Sequence, residues 1–184
     1  MNLFLIVIKS LYFFLPSYVA NAVPVFISRY DLLKFLDVRL DFGFKLNGED
    51  LIGRTKSYRG VVGGVIAGVI VAVLQYCVFL IGCCDFLYMF DYSFFDALII
   101  GFLLSFGEGF GDALKSFLKR RLHIKSTYPV FFVDQSSFIC SLCLVLLYVK
   151  IEFIYLCVIF GFSLIIPIIA NLVAYKLGIK KVWW

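Results

Sequence analysis

Apolar runs, each about as long as a bilayer crossing, partition this chain, and the lysines and arginines between them fall almost entirely on one side. No other feature narrows the possible folds as far. A spanning helix needs about 20 predominantly apolar residues. Four runs meet that plainly: Leu3 to Ile27, Val61 to Ile81, a run ending at Val149 that begins between Val130 and Phe138, and Phe153 to Ala174. A fifth, "FLYMFDYSFFDALIIGFLLSF" from Phe86 to Phe106, carries Asp91 and Asp96 in its first half. With 63% hydrophobic residues among 184, the chain has more apolar surface than one small soluble core can bury.

Charge decides whether the fifth run crosses. Seven cations lie between Ser28 and Gly60, five follow Phe106 (Lys115, Lys119, Arg120, Arg121 and Lys125), and Lys176, Lys180 and Lys181 close the chain. Loops rich in Lys and Arg stay cytoplasmic, and only a crossing by Phe86 to Phe106 puts these three groups on one face. Fifteen of the seventeen cations then share that face, Lys9 and Lys150 being the exceptions. The sequence therefore predicts an all-α integral membrane protein of the cell membrane. It is a single multi-pass domain with five transmembrane helices over about 3–27, 61–81, 86–106, 130–149 and 153–174. Two large cytoplasmic loops, 28–60 and 107–129, and a cytoplasmic tail, 175–184, complete it, with the N-terminus outside and the C-terminus cytoplasmic. Trp183 and Trp184 suit an interfacial anchor. The first run lacks a small-residue cleavage site that stands out and reads as a retained span. The six cysteines fall mostly in apolar runs without zinc-ligand spacing and read as small core residues. The formal charge of +5 follows the topology rule and contact with anionic membrane lipids, so no nucleic-acid partner is implied.

Two loops hold more charge than such a rim needs. The first ends in "LNGEDLIGRTKSYRGVVGGVIAG", where Lys56, Ser57 and Arg59 stand before a helix opening with Gly60, Gly63 and Gly64. Free amides and cations converging at a helix start make an anion site. Glycines spaced by four, through Gly68, equally suit close helix packing. In the second loop Glu108, Asp112, Lys115, Ser116 and Lys119 recur at intervals of three and four, so one helix face presents carboxylates and then cations. Ion pairs on a solvated helix fit that spacing, but Glu108 and Asp112 lie at the membrane boundary in "FGEGFGDAL", where an unused carboxylate is costly. Asp134, in "YPVFFVDQSSF", makes the same argument. Carboxylates beside a basic cluster suit a magnesium-bound polyphosphate. Asn21, between Pro16 and Pro24, either bonds a carbonyl freed by Pro24 or lines the path of a lipid substrate.

The stretches "LPSYVANAVPV", "LDFG", "LNGEDLIGRTKSYRG", "GDALKSFLKRRLHI", "DQSSF" and "NLVAYKLGIKKVWW", in this order, resemble the archaeal CDP-archaeol synthases, membrane cytidylyltransferases acting on an ether-lipid phosphate. More distantly, Lys119, Arg120, Lys125 and Asp134 are similar to the signature of phosphatidate cytidylyltransferases, from which Ser126 and Ser137 depart where that signature has Asp. Asp112, with Glu108 in reserve, is the candidate to supply the missing metal oxygen. The resemblance implies a magnesium-dependent reaction of CTP with unsaturated archaetidic acid that gives CDP-archaeol and pyrophosphate. Lys119, Arg120, Asp112 and Asp134 would be catalytic. Lys56, Ser57, Arg59, Gly60, Gly63, Ser116 and Lys125 would bind nucleotide, and Arg121 and Asn21 would meet the lipid phosphate. A transporter or binding protein for an anionic lipid or small anion would use the same cations, but such sites gather near the bilayer midplane within internal repeats, and the sequence has no repeat.

Overall fold

The computed structural model describes residues 2–82, 84–124, 128 and 130–179. Among these, six α-helices run in order: α1 Leu3–Arg29, α2 Tyr58–Ile81, α3 Phe94–Arg121, α4 Phe131–Asp134, α5 Ser136–Leu146 and α6 Phe153–Lys176. The helices α1, α2, α3 and α6 are long and apolar enough to cross a membrane, whereas α5 is shorter. An integral membrane architecture follows.

Glycine sets the packing. Gly60, Gly64 and Gly68 on α2 face Pro24, Ala20 and Pro16 of α1, where an added Cβ would come within 3.4 Å of Pro24 Cβ, 2.9 Å of the Ala20 carbonyl oxygen and 3.0 Å of that of Pro16. The four-residue step on each helix, run in opposite directions, defines a small-residue antiparallel contact. Gly107 and Gly111 on α3 do the same for α5, and Cβ atoms there would stand 2.5 Å from Ser141 Cα and 2.3 Å from Ser137 Cα. The glycines of "FGEGFGDAL" thus serve helix contact. Gly63, expected among anion-binding amides, packs on Ile27, whose Cδ1 would have to move aside for a side chain there.

Helix α3 starts eight residues later than the expected span at Phe86 and continues to Arg121, so most of the expected loop 107–129 is helical. Its start is fixed by a capping box: Ser93 accepts from the Asp96 amide at 3.1 Å while the Asp96 side chain accepts from the Ser93 amide at 2.9 Å. Residues 85–93 form a 3-10 turn and extended chain instead. The run expected to cross over 130–149 is broken between α4 and α5 at Gln135.

Helix ends are tied in pairs. Tyr148, just past α5, donates to Asp96 at the start of α3 at 2.6 Å. Arg29, at the end of α1, donates to the Gly178 carbonyl past α6 at 3.1 Å. Between α1 and α2 a short hairpin, β1 Lys45–Leu46 and β2 Glu49–Asp50, turns at Asn47–Gly48, both with positive φ, the backbone such a two-residue turn demands. Arg121 holds it to the end of α3 by donating to the carbonyls of Leu46 at 2.7 Å and Asp50 at 3.0 Å. The α1–α2 connection is thereby docked on the basic end of α3.

Candidate active site: a charged chamber that opens into the bundle

The docked connection and α3 enclose, with α1 and α6, a cavity of about 1240 Å³. One wall is polar, lined by Arg54 and Lys56 from the connection, by Arg59 at the start of α2 and by Lys115, Lys119 and Arg120 from α3. Asp37, Glu108, Asp112 and Asp134 also reach it, so cations exceed carboxylates. Another wall is apolar, with Ile166, Pro167 and Ala170 of α6 and Ala20 and Pro24 of α1.

The α3 face expected from spacing is present, since Glu108, Asp112, Lys115, Ser116 and Lys119 all line this chamber. Asp112 receives two lysines: Lys56 from the connection pairs with its Oδ2, and Lys115 reaches its Oδ1 at 2.7 Å. Asp134 pairs with Lys119 at 2.5 Å and also caps its own segment by accepting the Val130 amide at 2.8 Å. Lys119 further donates to the Tyr128 carbonyl at 2.9 Å. Lys115 pairs with Asp112 on the same face of α3, one turn from Lys119. Glu108 is the most buried of the acidic and basic residues lining the chamber, 2% exposed. Ser17 Oγ stands 3.4 Å from its Oε2, while Oε1 has no hydrogen-bond partner among the described residues. Ser116 spends its hydroxyl on the Asp112 carbonyl one turn back.

Other expected residues are placed differently. Arg59 is buried and bonds the Ile27 carbonyl at 3.1 Å, with Asp37 at 3.5 Å, so it ties α1 to α2 although it edges the cavity. The expected cluster of free amides at the start of α2 is already used: Tyr58 donates to the Val38 carbonyl, and Gly60 and Val61 donate to that of Ser57. Ser57 and Asn21 line the chamber. Arg121 does not, being spent on the hairpin and on the Phe117 ring. Lys125 lies outside the described residues.

Arg54 and Asp41 carry no expectation from the sequence. Arg54, on the chamber wall, makes no ion pair among the described residues, and nothing but position separates it from the other rim cations. Asp41, in "LDFG", is 3% exposed. Its carboxylate accepts from Arg39 at 2.9 and 3.1 Å and from the amides of Gly43, Ile52 and Gly53 at 3.0, 3.0 and 2.9 Å. Burial pushes this acid up, but Arg39 and the three amides outweigh it and hold it well below the usual carboxylate range. The knot presents Gly53, at φ +113°, beneath the Arg120 guanidinium, where a Cβ would meet Nη2 at 2.9 Å. An aspartate two residues before a glycine was the available signal, for that spacing makes an Asx turn.

Among the described residues no three His, Cys, Asp or Glu side chains form a closed metal cage. A helical bundle with apolar helices of membrane-spanning length and a large cavity, one wall cationic and another apolar, defines an integral membrane protein whose chamber has the chemistry to suit an anionic amphiphile. The profile of the CarS-like CDP-archaeol synthases matches residues 3–184, and the chain belongs to that family. It is 36% identical to a CDP-archaeol synthase of Methanococcus aeolicus, each chain covered in full. It is also 36% identical to one of Pyrococcus horikoshii over 96% of both chains, and 33% identical to one of Methanocaldococcus jannaschii over 95% of this chain and 96% of that one. A solved structure of an intramembrane enzyme for archaeal membrane lipid biosynthesis superposes with a TM-score of 0.67 at 24% identity, covering 88% of this chain and 91% of that one.

Proposed function

We propose that this protein joins CTP to an archaeal ether-lipid phosphate, unsaturated archaetidic acid, releasing pyrophosphate and leaving CDP-archaeol in the membrane. The observation that carries the reading is the two-walled chamber, since the same cavity offers cations to phosphates and an apolar face between α1 and α6 to isoprenoid chains. A lipid phosphate oxygen forms the new bond to the α-phosphorus, and the bond from that phosphorus to the α–β bridging oxygen breaks, its electron pair leaving with pyrophosphate. The lysines and arginines bind and orient the triphosphate, which is most of what such a transfer requires. Lys56 and Arg54 approach from the connection, and Lys119 and Arg120 from α3, so the nucleotide bridges both. Asn21, on the apolar side, faces the lipid headgroup.

Magnesium fits the donors present. Glu108 and Asp112 are one turn apart on α3, Glu108 Oε1 lacks a hydrogen bond among the described residues, and Asp134 lines the same chamber, paired with Lys119. Magnesium needs only one or two carboxylates when phosphates and water complete its shell. When bound it neutralises charge on the polyphosphate. We further assign five crossings, with the N-terminus outside and the chamber cytoplasmic, because the cations gather at its end of the bundle.

The test is pyrophosphate release by purified protein given CTP, magnesium and the ether-lipid phosphate, with chelator as control. Asp112→Asn should lower turnover at least a hundredfold while the protein stays folded, since an amide is a poor magnesium ligand. Near-normal turnover in that variant removes Asp112 from the site.

A further inference from the structure

In the chamber the lysines and the carboxylates are already committed to each other. Lys56 and Lys115 converge on Asp112, and Lys119 holds Asp134. These are not rim pairs: the Lys119 side chain is 8% exposed, and the side chains of Lys56, Lys115, Asp112 and Asp134 are between 19% and 30% exposed. Charges so enclosed are poorly screened, and a lysine beside a carboxylate directly opposes a divalent cation at the same oxygens. Arg120, on the same wall, has no ion pair among the described residues.

We propose that Lys56, Lys115 and Lys119 are exchangeable counter-ions, serving the carboxylates until nucleotide arrives and then turning to its phosphates, so that metal and nucleotide are admitted together. This rests on the reading of the chamber as a metal–triphosphate site. Without phosphate the lysines compete with the metal for Asp112 and Asp134, which keeps affinity for the bare ion low. A triphosphate draws the ammonium groups off the carboxylates and exposes metal oxygens in the same act. Lysine suits this role because its point charge swings on a flexible stem, whereas an arginine–carboxylate fork is held in one geometry. The contrast is visible nearby: Arg39 is locked on Asp41 by two parallel bonds in the structural knot.

The consequence runs against intuition. Removing a lysine from the nucleotide site should improve binding of metal alone. Manganese(II) binding to the full-length protein in detergent, without nucleotide, can be followed by loss of the free-ion paramagnetic resonance signal. Lys56→Met and Lys119→Met should each bind manganese about tenfold more tightly than wild type, the usual effect of one close charge, and both should lose CTP affinity. Arg120→Met, which removes a cation without freeing a carboxylate, should change manganese affinity by less than threefold. The gain of Lys56→Met should vanish when Asp112→Asn is added. Helical circular dichroism and its thermal transition check folding, and Lys119→Met keeps the test alive should Lys56→Met not fold. Unchanged or weaker manganese binding in both lysine variants, or an equal gain in Arg120→Met, overturns the exchange. If wild type meanwhile releases pyrophosphate from CTP and the lipid, only this inference falls. If it does not, the reading of the site falls as well.

Discussion

Asp41 gathers five donors on one buried carboxylate and has nothing to do with phosphate itself. Its work is to fix where the chain passes under Arg120 at Gly53 and then on to Arg54 and Lys56. Asp41→Asn turns an amide toward backbone donors and breaks the Arg39 pair, which should loosen the connection by about 1–3 kcal/mol. The readout is hydrogen exchange at Gly43, Ile52 and Gly53, whose protection should fall at least fivefold; unchanged protection shows that the knot is not what holds the loop. The acid dependence has a definite sign. Because the folded carboxyl titrates below its ordinary value, its contribution is fully present above about pH 4 and is lost as pH falls toward the depressed value. Protection in wild type should therefore drop below pH 4, and in Asp41→Asn that acid-dependent part should be missing.

Among the elements, α3 is the one on which the site stands, and its seat against α5 is nearly backbone on backbone. A methyl group at Gly111 would press on the Ser137 backbone, which has no flexible end to yield. Gly111→Ala should cost about 1–3 kcal/mol and lower the thermal midpoint in detergent, with turnover falling because Asp112 is the next residue; an unchanged midpoint would mean that the helices have room. How legible all this was in the sequence differs by element. The charged face of α3 could be read because helical spacing depends only on intervals of three and four. The start of α3 could not be read from hydropathy, because Phe86 to Met89 are as apolar as the helix that follows. The deciding signal was Ser93 three residues before Asp96, a cap rather than a gradient. Asp96, which counts as a charge inside an expected span, is a capping residue at its edge that also receives Tyr148. The roles of Arg59 and Arg121 were hidden because a cation that ties backbone carbonyls and one that binds phosphate have the same spacing and sign. Only the fold separates them.

At the scale of the whole molecule, orientation can be settled with two reporters. One fused after Trp184 and one inserted beside Lys45 should report the same side, in keeping with the pairing of the α1 and α6 ends through Arg29 and Gly178, and the excess of Lys and Arg predicts that side to be the cytoplasm. Signals from opposite sides would mean that an odd number of crossings is wrong. A last consequence follows from the length of α3. Its 28 residues make a rod of about 42 Å, against a hydrocarbon core of about 30 Å, and Glu108 lies about 21 Å from its start. The chamber floor therefore has no height of its own; the surrounding lipid assigns it one. A thicker host bilayer would immerse Glu108 and Asp112 further in hydrocarbon, and a thinner one would lift them toward water. Through that mismatch, the membrane that this reaction helps to build also sets the solvation of the two carboxylates in its chamber.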